Sequence, residues 1–99
     1  MIDVWFLRQA LADLGNAREW YERQRRGLGD EFVLSVGAAV DAVIEYPVAY
    51  PVVHRGTRRV LIERFPYGLY YRVHGGTVIV VALLHVARDP AEQRFRLSD

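Results

Sequence analysis

The chain has 99 residues, of which 52% are apolar and 25% charged, with a net charge of +1. That length supports one modest core, so a single domain spanning residues 1–99 is expected, and the balance excludes an intrinsically disordered chain. Without cysteine there is neither a disulfide framework nor thiolate chemistry, which fits a reducing cytoplasm. Asp3 stands where a signal peptide carries positive charge, and the longest aliphatic run, Val78 to Leu84, is far short of the ~20 residues that span a bilayer. A soluble, cytoplasmic protein without membrane contact is expected.

In chain order, Ile2 to Phe6 is a short β-prone run. Leu7, Ala10, Leu14, Ala17 and Tyr21 then step by three and four, which predicts one apolar stripe on a helix. Gly27-Leu28-Gly29 is expected to end that helix, and Asp30-Glu31 to open a second, where carboxylates suit the positive end of the dipole. Phe32, Val36, Ala39, Val40 and Val43 form its stripe, and Pro47 stops it. The two helices make an antiparallel hairpin. The segment "YPVAYPVVHRGT" reads as a loop stiffened by Pro47 and Pro51.

Beyond the loop the period falls to two. Strands are predicted at Arg58–Phe65, Leu69–His74 and Val78–Val86, with turns at Pro66-Tyr67-Gly68 and Gly75-Gly76. Leu69, Tyr71 and Val73 share one face of the second strand, and Tyr70, Arg72 and His74 the other. The third strand has no polar alternation before His85, so it should be buried on both faces. The expected fold is α+β, ordered β-α-α-β-β-β, with the helical hairpin on one face of a mainly antiparallel sheet of about four strands. The other face needs cover from the tail after Arg88, a second copy or a partner.

Charge is unevenly spread. Residues 1–50 hold five arginines against eight acids, and residues 51–99 hold eight against four. Every basic side chain is arginine, a planar fork suited to carboxylate or phosphate. Arg58, Arg59, Arg64 and Arg72 are expected on or near one sheet surface, where an acidic partner segment would lie. Tyr67, Tyr70 and Tyr71 are candidates for stacking on bases, with core the better reading for Tyr71 and both readings open for Tyr70. His54, His74 and His85 are too scattered for a metal site, and nothing in the sequence asks for a cofactor.

Taken in order and spacing, "ALADLGNAREWYERQRRGLGDEF", "YPVAYPVV", "RRVLIERFPYGLYYRV" and "LLHVARDP" resemble the RelE/ParE superfamily. These are the toxins of bacterial type II toxin–antitoxin pairs, also called plasmid stabilisation proteins. The resemblance covers Ala10 to Pro90. It implies a cognate antitoxin encoded by the adjacent gene, and a homodimer or heterotetramer as the assembly. It also implies one of two targets: ParE-like members poison DNA gyrase, whereas RelE-like members cut mRNA on the ribosome.

Cutting RNA without metal needs a proton acceptor, an acid and cations. The candidates here are His85 and Glu63 with Arg88, and Arg58, Arg59, Arg64, Arg72 and Tyr70 as target- or phosphate-binding groups. Each has a plainer reading beside it: Glu63 in a cross-strand ion pair, His85 hydrogen-bonded to the following loop, Arg88 paired with Asp89. Ribonuclease members tend to carry a tyrosine or histidine near the terminus, and the matching region here reads Arg94-Phe95-Arg96. Phe95 has no hydroxyl to donate. The gyrase-directed mode is therefore favoured, with the ribonuclease as rival and a non-toxic relic, kept for complex formation or operon autoregulation, as a third reading.

Overall fold

Alternation and helical periodicity place the backbone largely where the sequence suggests. A computed structural model describes residues 2–98. Their elements run β1 (Asp3–Phe6), α1 (Arg8–Gln24), α2 (Leu28–Glu45), β2 (Val52–His54), β3 (Thr57–Leu61), β4 (Tyr67–His74), β5 (Thr77–His85) and α3 (Pro90–Leu97). They form an α+β fold in which the helical hairpin packs on a five-stranded sheet of order β1-β5-β4-β3-β2. β1 runs parallel to β5, and the other neighbours are antiparallel.

The hairpin buries the predicted stripes: Ala10, Ala17 and Tyr21 from α1, and Phe32, Val36, Ala39 and Val43 from α2. They meet Val60, Leu69, Tyr71, Val78, Val80 and Leu83 from the sheet. Tyr21, Phe32, Phe65 and Tyr67 interlock at ring separations of 4.9–6.1 Å, in tilted and edge-on geometries that suit aromatic quadrupoles. Leu7, expected to begin the stripe, is instead the half-exposed cap residue before α1.

The junction between the helices differs from expectation. α1 ends at Gln24, and Gly27, at φ 89°, is the cap of α2 rather than the end of α1. The Glu22 carboxylate accepts the Gly27 and Gly29 N–H groups at 2.9 and 3.0 Å, serving α2 donors that would otherwise lack partners. Gly29 is required by close approach, since a Cβ there would lie 2.7 Å from the Arg18 carbonyl oxygen.

Two elements emerge where the sequence suggested none, and one strand is shorter than expected. β2 forms within the supposed loop at the sheet's outer edge, where the preceding Pro51 costs no ladder bond. Arg55 and Gly56, both at positive φ, make the two-residue turn to β3. β3 stops at Leu61, so the turn spans 62–66 instead of beginning at Pro66. α3 begins at Pro90, capped by Asp89 accepting the Ala91 N–H at 2.7 Å.

α3 supplies the cover that the second face needed. Leu97 packs with Tyr70, Val81, Ala82 and Leu84. A bulge in β5 makes this possible: the β4 partners step from Ala82 to Val80 across Tyr70 and Tyr71. One extra residue in β5 sends Val81 and Ala82 to the same side.

β1 pairs with β5 only as far as Val80. Beyond it α1 satisfies the edge, Gln9 Nε2 donating to the Val81 carbonyl at 3.2 Å and Asp13 accepting the Leu83 N–H at 3.0 Å. Arg96 of α3 grips the same Asp13 carboxylate with two bonds, at 2.7 and 3.2 Å. Among the described residues no helix is long and apolar enough to cross a membrane.

Candidate functional site

β4 begins where β5 ends, Tyr67 opposite His85, and this corner holds a groove against α1. Trp20, Tyr21, Pro66, Tyr67 and His85 line a cleft of about 520 Å3. A smaller cleft of about 200 Å3 shares Trp20 and Tyr67 and adds Asp13, Asn16 and Arg88. The His85 ring meets Tyr67 edge-on at 5.3 Å, and its Nδ1 accepts the Ala87 N–H at 3.0 Å. A neutral imidazole held that way carries its proton on Nε2.

Burial pushes the Tyr67 hydroxyl above its ordinary range, with Asp13 adding to the rise and Arg88 opposing it. The phenol is therefore a protonated donor at neutral pH. Asp13 is already engaged by the Leu83 N–H and by Arg96, and Arg88 lies 3.4 Å from Glu92. The corner thus offers a half-exposed indole, a phenol, an imidazole and a guanidinium, a set suited to gripping another surface.

The other proton-transfer candidate lies elsewhere. Glu63 is exposed on the turn after β3 and lines a cleft of about 430 Å3 with Ser35, Ala38, Ala39, Ala42 and Leu61. That cleft shares no lining residue with those of His85 and Arg88. The expected cross-strand ion pair of Glu63 is not formed among the described residues, because β3 ends before reaching it. His85 does make the expected bond to the following loop, and Arg88 pairs with Glu92 rather than Asp89.

The four arginines expected on one sheet surface are separated. Arg58 and Arg59 are neighbours on a strand and so face opposite ways. Arg58 donates to the Val48 and Tyr50 carbonyls at 3.1 and 2.6 Å, fastening the loop after α2. Arg64, at φ 72°, has left the strand and pairs with Glu31 at 2.9 Å. Hydrogen bonds from Arg64 and then Arg25 hold the Glu31 carboxyl below its ordinary value.

Arg72 bonds Thr57 Oγ1 and the Leu97 carbonyl, both at 2.9 Å, tying α3 to β4. Arg59 faces α3, its stem lying against Gly68, where a Cβ would come within 3.0 Å. Tyr70 is 1% exposed beneath Leu97. Its ring is therefore a core element and not a stacking platform.

Sequence reasoning passed over Trp20, Asp13 and Arg96. Trp20 lies beside the buried stripe, and its bulk outside that stripe was the available signal. Asp13 and Arg96 are 83 residues apart, and nothing local links them.

The description "ParE toxin of type II toxin-antitoxin system, parDE" matches residues 4–90 of the chain. The match ends where α3 begins. Among solved structures, one titled "Chromosomal ParDE TA system from P. aeruginosa" superposes with a TM-score of 0.76 at 20% identity. The alignment covers 86% of this chain and 96% of that one, so the two share a fold. Comparison with curated proteins finds no match.

Proposed function

Since the chain belongs to the ParE toxin family of type II toxin–antitoxin systems, we propose that it arrests growth by binding DNA gyrase, without chemistry of its own. A cognate antitoxin neutralises it. The observation that carries this reading is the dispersal of the proton-transfer candidates. His85 and Arg88 border the Trp20–Tyr67 corner, whereas Glu63 lies in a separate cleft beside α2. Metal-free RNA cleavage needs base, acid and cation around one phosphate, within hydrogen-bond reach of the reacting atoms. A binding toxin needs only a stable surface with anchoring side chains, and Trp20 with Tyr67, His85 and Arg88 provides one.

For the antitoxin, the cleft between α2 and β3 is the better receptor. Its walls are mostly small or apolar, from Ala38, Ala39 and Ala42 to Val60 and Leu61, with Arg59 and Glu63 also bordering it. This suits an amphipathic helix that lays down its apolar face and pairs its polar edge. Ala38→Arg would place a charged stem in that cleft without touching the core. Loss of antitoxin binding with unchanged folding is the expected result.

The test pairs two assays of the purified toxin. Gyrase supercoiling should be inhibited, and inhibition should disappear when antitoxin is added. Message in a translating extract should remain whole. Intact supercoiling beside cleaved mRNA would replace the proposal with the ribonuclease, and no effect in either assay would leave the relic.

A further inference from the structure

We propose that the cleft between the sheet and α3 is a binding site for a phosphate group. The cleft, of about 250 Å3, is bordered by His54 of β2, Arg59 of β3, Tyr70 of β4, and Gln93, Arg94 and Leu97 of α3. Among the described residues, two buried side-chain polar atoms have no hydrogen-bond partner, Tyr70 Oη and His54 Nε2. Both belong to residues that border this one cleft. Buried polar groups are almost always paired, and an unpaired one costs most of its hydration. Two such atoms beside one small cavity indicate a group that arrives from outside.

The charge of the cleft names the group. No acidic side chain lines it, and neither Arg59 nor Arg94 forms a side-chain hydrogen bond or ion pair with another described residue. In contrast Arg58, Arg64, Arg72, Arg88 and Arg96 are each engaged inside the protein. Gly68 lets the Arg59 stem lie flat on β4, since a Cβ there would sit 3.0 and 3.1 Å from its Cδ and Cγ.

Two guanidinium forks, a phenol and an imidazole N–H exceed what the two oxygens of a carboxylate can accept. They match the acceptor capacity of a phosphate. Such a ligand would also bridge β3 and β4 to α3, which Arg72 and Arg96 already fasten from either side. The inference does not depend on the gyrase reading.

The test is a titration of the 15N-labelled full chain with inorganic phosphate at constant ionic strength set by chloride. Thermal unfolding is followed in parallel. Saturable amide shifts at residues 54, 59, 70 and 94 are expected, with a rise in melting temperature. Arg59→Gln should weaken binding about tenfold or more, the scale of a lost charge-assisted pair. Arg23→Gln, on the exposed face of α1, should leave it unchanged.

Tyr70→Phe separates ligand from fold. It should weaken phosphate binding several-fold and yet leave the phosphate-free protein equally or more stable, because the hydroxyl has nothing to lose. A short single-stranded oligonucleotide that shifts the same four residues more tightly would assign the phosphate to nucleic acid. Binding of free phosphate alone would assign it to a small ligand. The proposal is overturned if no saturable shift appears at these residues, or if Tyr70→Phe destabilises the phosphate-free protein. Capture of an acidic peptide there, with phosphate inert, overturns it equally.

Discussion

The two faces of the sheet are built on different terms. On the hairpin side, stripes from α1 and α2 meet the strands in one continuous apolar cluster centred on four interlocked aromatic rings. On the other side, α3 lays Leu97 on a smaller cluster of Tyr70, Val81, Ala82 and Leu84. There it is held by polar ties, Arg96 to Asp13 and Arg72 to the Leu97 carbonyl. Unpartnered polar atoms occur beside the second face and accompany its unengaged arginines. Large apolar area stabilises the first face, while the second spends part of its burial on groups suited to a ligand.

Substitutions should separate the faces by size of effect. The largest loss is expected from Phe32→Ala, which empties the centre of the aromatic cluster and should cost about 3–5 kcal/mol in denaturant unfolding. A cost below about 1 kcal/mol would mean that the hairpin face is not the main source of stability. Asp13→Ala removes the acceptor shared by Arg96 and the Leu83 N–H. It leaves a mostly buried guanidinium unpaired, so about 2–3 kcal/mol is expected after discounting for its partial exposure. Hydrogen exchange should speed in α3 before it does in α2. Equal acceleration in both would contradict the division.

Glu22→Ala deletes the carboxylate that receives the Gly27 and Gly29 N–H groups, for a loss of about 1 kcal/mol. The smallest effect belongs to Glu31, between Arg64 and Arg25 on an exposed surface. Its carboxyl is held below an ordinary value of 4.5. A depressed carboxyl contributes stability that is whole above its unfolded value and fades as pH falls through the folded one. The stability difference between the protein and Glu31→Gln should therefore close on acidification below pH 4.5. A gap that widened on acidification would reverse the sign of the assignment.

The same division explains what the sequence made legible. Phe32, Val36, Ala39 and Val43, and Leu69 with Tyr71, follow periodicities that any strongly packed face imposes. The α3 face hid for local reasons. A bulge turns Val81 and Ala82 to one side, which a period of two cannot reveal. β2 lies in a proline-bearing stretch that forms a strand only at an edge. α3 is short, mostly polar and closed onto the sheet by partners far away in sequence. Arginine roles were least legible, because whether a guanidinium fastens a loop, like Arg58, or faces a cleft, like Arg59, depends on strand phase. Glu63 was misplaced with β3 because the strand pattern runs on past the point where the chain turns.

Gyrase inhibition by a variant stripped of both proton-transfer candidates tests the central claim most directly. His85→Phe combined with Glu63→Gln removes both proton-transfer groups but keeps an aromatic ring against Tyr67, so the variant should inhibit supercoiling within about fivefold of the parent. Loss of growth arrest in this variant, together with mRNA cleavage by the parent, would contradict a toxin that works by binding alone.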